Sequence, residues 1–124
     1  MADESPATDW LPDLFAAIDA KDIRGFLGFL TGDASFRFGS APAAVGIEPI
    51  TTALDAFFGS IEGLSHKLDN VWTGPGTIAC EGEVTYTRLD GSQVTVPFAD
   101  VFDMDGDRIR AYKIYMDIAP LYAE

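Results

Sequence analysis

Four ionisable side chains in this sequence stand where proton-transfer chemistry could use them. In the run 92–104, Val94, Val96, Phe98, Phe102 and Met104 fall on one face of a strand, and Asp100 falls among them. A carboxylate on an apolar face is costly to bury unless it is paired, hydrogen-bonded or protonated. At the border of a cavity its pKa moves upward, which suits a general acid or base. The competing reading is that Pro97 marks a bulge that turns Asp100 to water. His66, the one histidine, shares the apolar side of its run with Leu64, Leu68 and Trp72. It is either a core histidine bonded to a backbone carbonyl or the most available base near neutral pH. Asp19, in AIDAKD, closes an apolar-periodic stretch, and its spacing alone favours a cap for the next helix. In IACEGEVTYTRLDG (78–91), Glu81, Glu83, Thr85 and Thr87 alternate with Cys80, Val84 and Tyr86, and by itself that acidic face is the wet side of a half-buried strand.

Helices in the first half and strands in the second must position these groups. Residues 1–8 are polar and read as a flexible tail, and 9–124 as a single domain. Thr8 or Asp9 can cap a helix carrying Trp10, Leu11, Leu14, Phe15 and Ile18. A second helical stretch with Ile23, Phe26, Leu27 and Leu30 meets a stop at Thr31-Gly32. ASFRF (34–38) alternates as a short strand, and GSAPAAVG reads as a loop. Pro49 suits the first turn of a third helix with Ile50, Leu54, Phe57, Phe58 and Ile61, ended by Gly63. From Leu64 the period becomes two, over runs 64–72, 77–89, 92–104 and 108–118. Gly74-Pro75-Gly76, Asp90-Gly91 and Asp105-Gly106 mark the turns between them. Helices followed by an antiparallel meander make an α+β fold, with the helices covering one face of the sheet.

The balance of charge narrows the partners. A formal charge of −12 over 124 residues opposes nucleic-acid backbones and anionic membrane surfaces. No run approaches the ~20 apolar residues that cross a bilayer. One cysteine, Cys80, and an acidic N-terminus without an apolar run point to a cytoplasmic setting. DMDGD (103–107) fails as a calcium loop, because Arg108 and Ile114 stand where glycine and glutamate are needed, so no metal site is expected. Neither a phosphate-binding glycine loop nor a nucleophilic-serine elbow is present, and the chemistry is expected to need no cofactor. Cys80 reads as a small apolar filler, and Arg37 as an anion contact or a surface charge.

AIDAKDIRGFLGFL, SFRFGSAP, GEVTYTRLDG, PFADVFDMDGDRI and YKIYMDIAPLY together resemble the nuclear transport factor 2-like superfamily, and within it the SnoaL-like (polyketide cyclase and ketosteroid isomerase-like) proteins. The resemblance implies a cone-shaped α+β barrel, with N-terminal helices packed on the concave face of a bent, mainly antiparallel sheet around a pocket. Asp100 falls close to the oxyanion-hole acid of the ketosteroid isomerases, whose base position is taken by Arg37. Glu81 and Glu83 replace the Arg and Asp of the limonene epoxide hydrolases, whose third acid falls on Ile114. Asp19 and His66 resemble the Asp–His pair of the scytalone dehydratases, with Ile18 in place of the neighbouring tyrosine.

The implied function is acid/base isomerisation, cyclisation or dehydration of a small apolar cyclic molecule. His66 would be the base, oriented by Asp19, with Asp100 and Glu83 as acids. Phe36, Phe38, Phe57, Trp72, Phe98, Tyr112 and Met116 would be the apolar wall. If the sheet bends into a cone, the face of Glu83 is expected to be concave. The alternative is a non-catalytic ligand-binding or dimerisation module of the same fold. Apolar residues on both faces of the last strand, Ile109, Ala111 and Tyr115 against Tyr112, Ile114 and Met116, point to a homodimer.

Overall fold

A computed structural model describes residues 8–123; of the tail expected at 1–8, all but Thr8 lies outside the described residues. The elements are α1 (Leu11–Asp19), α2 (Ile23–Leu27), β1 (Leu30–Phe38), β2 (Ala44–Val45), α3 (Ile47–Gly59), β3 (Gly63–Gly74), β4 (Thr77–Thr87), β5 (Gln93–Asp105), β6 (Arg108–Tyr115) and α4 (Ala119–Tyr122). Neither Thr8 nor Asp9 is the cap of α1. That position is Trp10, which makes no side-chain cap bond, and Pro12, the second residue of the helix, enters the first turn with φ already set. Asp22, not Asp19, caps α2 by accepting from the Gly25 N–H at 3.0 Å. Leu30 belongs to β1 rather than to the second helix: the Ile109 N–H donates to the Phe29 carbonyl at 2.8 Å, so the sheet captures the chain there. Gly63 opens β3, because α3 already ends at Gly59 with Ser60 as its cap.

Six strands form one open sheet in the order β2-β1-β6-β5-β4-β3. The meander β3–β6 is antiparallel, whereas β1 crosses back to lie parallel to β6. Gly91 (φ +89°) and Gly106 (φ +63°) hold the two expected hairpin turns. Leu11, Leu14 and Phe15 of α1, with Ile50, Leu54 and Phe58 of α3, form a core with Cys80, Val84, Tyr86, Val96, Phe98 and Phe102 of the sheet.

That core decides which face of β4 is inside. Ile78, Cys80, Gly82, Val84 and Tyr86 are buried, and Glu83 is exposed. The expectation that Glu83 faces the concave side is therefore wrong. Helices can cover only the face that offers apolar surface, and on β4 that is the face of Cys80, Val84 and Tyr86.

Two bulges interrupt the period of two. In β3, Leu68 pairs with Gly82 and Asn70 with Glu81, which leaves Asp69 as the extra residue. Beyond it the faces exchange, so Trp72, opposite Ala79, is 53% exposed instead of sharing the side of His66. Between β5 and β6, Met104 pairs with Ile109 and Asp103 with Ala111, which makes Arg110 the extra residue. Ile109 is thereby fully buried and cannot join Ala111 and Tyr115 on an outer face. Gly82 sits at the first bulge, where a Cβ would fall on the Lys67 carbonyl oxygen. A Gly82→Ala substitution should therefore lower stability by ~2–3 kcal/mol through backbone displacement, measured by urea unfolding.

Candidate active site

The site starts from the last residue of α1. A carboxylate at a helix C-terminus meets the negative end of the dipole, so Asp19 needs another reason to be there. Its Oδ2 accepts from the backbone N–H of His66 at 3.0 Å, and its Oδ1 lies 2.6 Å from His66 Nδ1. One carboxylate thus holds both the strand and the ring. This network assigns the Nδ1 proton to the Asp19 side and leaves Nε2 as the nitrogen open to chemistry. The imidazole lies between Phe15, with centroids 4.8 Å apart, and Phe98, 5.2 Å away and edge-on. These rings fix its plane.

Asp100 enters from β5 on the inward face, next to Phe98 and Phe102 in the alternation. It is 2% exposed, so no bulge at Pro97 turns it to water; Pro97 pairs in register with Glu83. Burial raises the Asp100 carboxyl from 3.8 to about 8, partly offset by the Tyr112 hydroxyl, whose long 3.4 Å contact donates to Oδ2. The group is mainly a neutral acid at pH 7. Its Oδ1 is buried with no hydrogen-bond partner. Burial and the nearby Asp100 carboxyl push the Tyr112 phenol well above its usual value. The Tyr112 ring is held by Phe26, Phe36 and Phe102, with centroids 4.6–5.5 Å away.

His66 and Asp100 line one small chamber of about 30 Å³, whose other walls include Phe98, Tyr86, Tyr112 and Ile18. An outer chamber of about 560 Å³ is lined by Ser40, Ala53, Asp117, Ile118 and Tyr122 among others. Phe36, Phe38, Leu54, Phe57 and Met116 line both. The inner space takes two or three water-sized groups, at roughly 10–15 Å³ each. The outer one lies within the range of about 300–1,000 Å³ usual for ligand pockets. Neither lining includes a lysine or arginine.

Of the residues singled out from sequence, His66, Asp100, Phe36, Phe38, Phe57, Phe98, Tyr112 and Met116 converge on these chambers, and Asp19 stands directly behind His66. Glu83 and Trp72 do not: Glu83 lies on the exposed face of β4, and the Asp69 bulge turns Trp72 outward. Arg37 lies outside both linings: its Nη2 donates to the Tyr115 hydroxyl at 3.2 Å, with the guanidinium over that ring. Cys80 is buried, and burial pushes its thiol pKa up, consistent with a filler. Sequence reasoning missed the wall made by residues 117–122. Arg88 holds that segment by donating to the Leu121 and Pro120 carbonyls at 2.9 and 2.6 Å, and Ser60 Oγ meets the Tyr122 hydroxyl at 3.0 Å. The Ile-Ala-Pro-Leu-Tyr run is too short for a readable period, so no local signal marks it.

A SnoaL-like domain matches residues 12–112. No curated protein matches the chain. Among solved structures, an NTF2-like protein of unknown function from Burkholderia pseudomallei superposes with a TM-score of 0.85 at 16% identity, over 94% of this chain and 95% of that one. TerC, crystallised with polyporic acid, gives 0.83 at 17% identity over 95% and 96%. A candidate SnoaL-like polyketide cyclase from Jannaschia sp. CCS1 gives 0.82 at 18% identity over 98% and 95%. At these identities the likeness establishes the fold.

Asp100 also predicts a pH signature. Its folded pKa of about 8 exceeds the ordinary 3.8, so its contribution to stability is full below 3.8 and is lost as pH rises through about 8. Asparagine cannot ionise. Urea melts at about pH 5 and about pH 9 should show Asp100→Asn gaining on the wild type at the higher pH.

Proposed function

Because the chain belongs to the SnoaL-like domain family, we propose that it is a cofactor-independent acid/base enzyme that isomerises, cyclises or dehydrates a neutral, apolar cyclic molecule. One observation carries this reading: an Asp19-held histidine and a neutral, buried carboxyl share the wall of one aromatic chamber. An imidazole Nε2 can take a proton from a carbon next to a carbonyl. Asp100, one of whose oxygens accepts from Tyr112, can use the proton on the other to hydrogen-bond the developing enolate oxygen. His66 then returns the proton to a second carbon, or to a leaving hydroxyl, and the residues end as they began. The small inner chamber suits the reacting carbonyl or hydroxyl, and the outer one the ring system. The absence of cationic side chains from both linings supports an uncharged ligand. The co-crystallisation of TerC with polyporic acid supports a small organic occupant for this fold.

The test is turnover on a panel of neutral cyclic ketones and hydroxyketones. With a substrate in hand, His66→Gln and Asp100→Asn should each lower kcat by ~10²–10⁴-fold. Activity should fall as pH rises through about 8, when Asp100 loses its proton. If both variants bind and turn over as the wild type does, the mechanism is wrong. If the panel binds without turnover, the pocket belongs to a ligand-binding module.

A further inference from the structure

We infer that His66 exchanges its proton with solvent through a second opening, the groove between α1 and β3, rather than through the mouth that admits the ligand. The inference rests on His66 being the base of the proposed reaction. His66 lines the inner chamber and also a separate open groove of about 400 Å³ that it shares with Pro12, Phe15, Ala16, Asp19 and Leu68. The histidine is therefore a partition between two spaces. Asp100 stands on its chamber side and Asp19 on its groove side. The Asp19 side chain is 26% exposed and that of His66 9%, so the carboxylate is the wetter end of the pair.

On the other side, water reaching His66 from the mouth would pass the Phe38 and Phe57 rings, whose centroids are 4.9 Å apart and which line both chambers. A ligand in the outer chamber would close that route. The groove stays open, and the proton takes it. When Nε2 takes a proton from the ligand, the Nδ1 proton passes along the 2.6 Å contact to Asp19 and from its carboxyl to water in the groove. The imidazole is neutral again with its proton on Nε2, and the ligand is one proton poorer. The reverse sequence delivers one. Asp19 is thus a positioning and relay residue that need not touch the ligand. A proton taken from the ligand leaves by the groove, and an equivalent one returns by it to protonate the second carbon or the leaving hydroxyl, with the mouth still closed.

The test needs no substrate, so its failure is distinct from failure of the proposed reaction. The chain has one histidine, so exchange of its imidazole Nδ1 proton with solvent, followed by NMR, reports on His66 alone. Ala16 in the groove and Ala53 at the mouth are both exposed helical residues, so a large side chain fits at either without core damage. Ala16→Trp should slow this exchange severalfold, whereas Ala53→Trp should leave it at the wild-type rate. Asp19→Asn should also slow it, although asparagine fills no more of the groove, and Asp19→Glu, which keeps a carboxylate, should recover part of the rate. Ala16→Phe serves if the tryptophan variant does not fold. Slowing by Ala53→Trp with no effect of Ala16→Trp, or equal effects of the two, would overturn the inference. So would proton exchange in Asp19→Asn as fast as in the wild type.

Discussion

The clamp of Asp19 on His66 is the contact on which the arrangement of the site depends. A single carboxylate accepts from the backbone and faces the ring nitrogen of one residue, and so ties the end of α1 to the inward face of β3. Two bonds to a charged acceptor are stronger than ordinary neutral ones and fix direction as well as distance. The clamp aligns the helix over the strand, selects the imidazole tautomer, and leaves Phe15 and Phe98 to set the ring plane. Without it Phe15 and Phe98 would still flank the ring, but the tautomer would no longer be selected and α1 would lose its tie to β3.

Asp100 is held by the opposite means. It has no charged partner, and its single long bond from Tyr112 is too weak to offset the loss of hydration of a carboxylate. The chain accommodates it by keeping it neutral, which burial itself enforces. Phe26, Phe36 and Phe98, which line the chamber with it, therefore have two effects: they build the core and they exclude the water that would let the acid ionise. The two halves of the site thus differ in physical character, one polar and tightly bonded, the other apolar and under-bonded. That contrast is what separates a base from an acid within one chamber.

Much of the frame is legible in the sequence because local rules govern it. The change from a period near 3.6 to a period of two after Leu64 marks the passage from helices to sheet, and Asp90-Gly91 and Asp105-Gly106 locate the hairpins through the positive φ their turns require. Six of the seven proposed wall residues line a chamber, because strand alternation and helical spacing put them on the covered side. Trp72 and Ile109 depart from expectation for one shared reason. Asp69 and Arg110 each insert one residue, and a single inserted residue exchanges the two faces of the strand beyond it. Glu83 departs for another: the expected curvature overrides its own alternation with Cys80 and Val84, and that alternation already points it outward.

The sequence by itself determined the order of elements, the apolar faces, and the presence of one histidine and one carboxylate on apolar strands, since these derive from residue type and short-range spacing. Tertiary structure alone decided that Asp19 reaches across 47 residues to His66 instead of capping the neighbouring helix, a role that fell to Asp22. It also decided that Asp100 loses its water, that β1 returns beside β6, and that residues 117–122 wall the mouth under the hold of Arg88. The reason is the range of the interactions. Propensity and periodicity act over a few residues, whereas desolvation and a bond between distant groups exist only once the chain has brought them together.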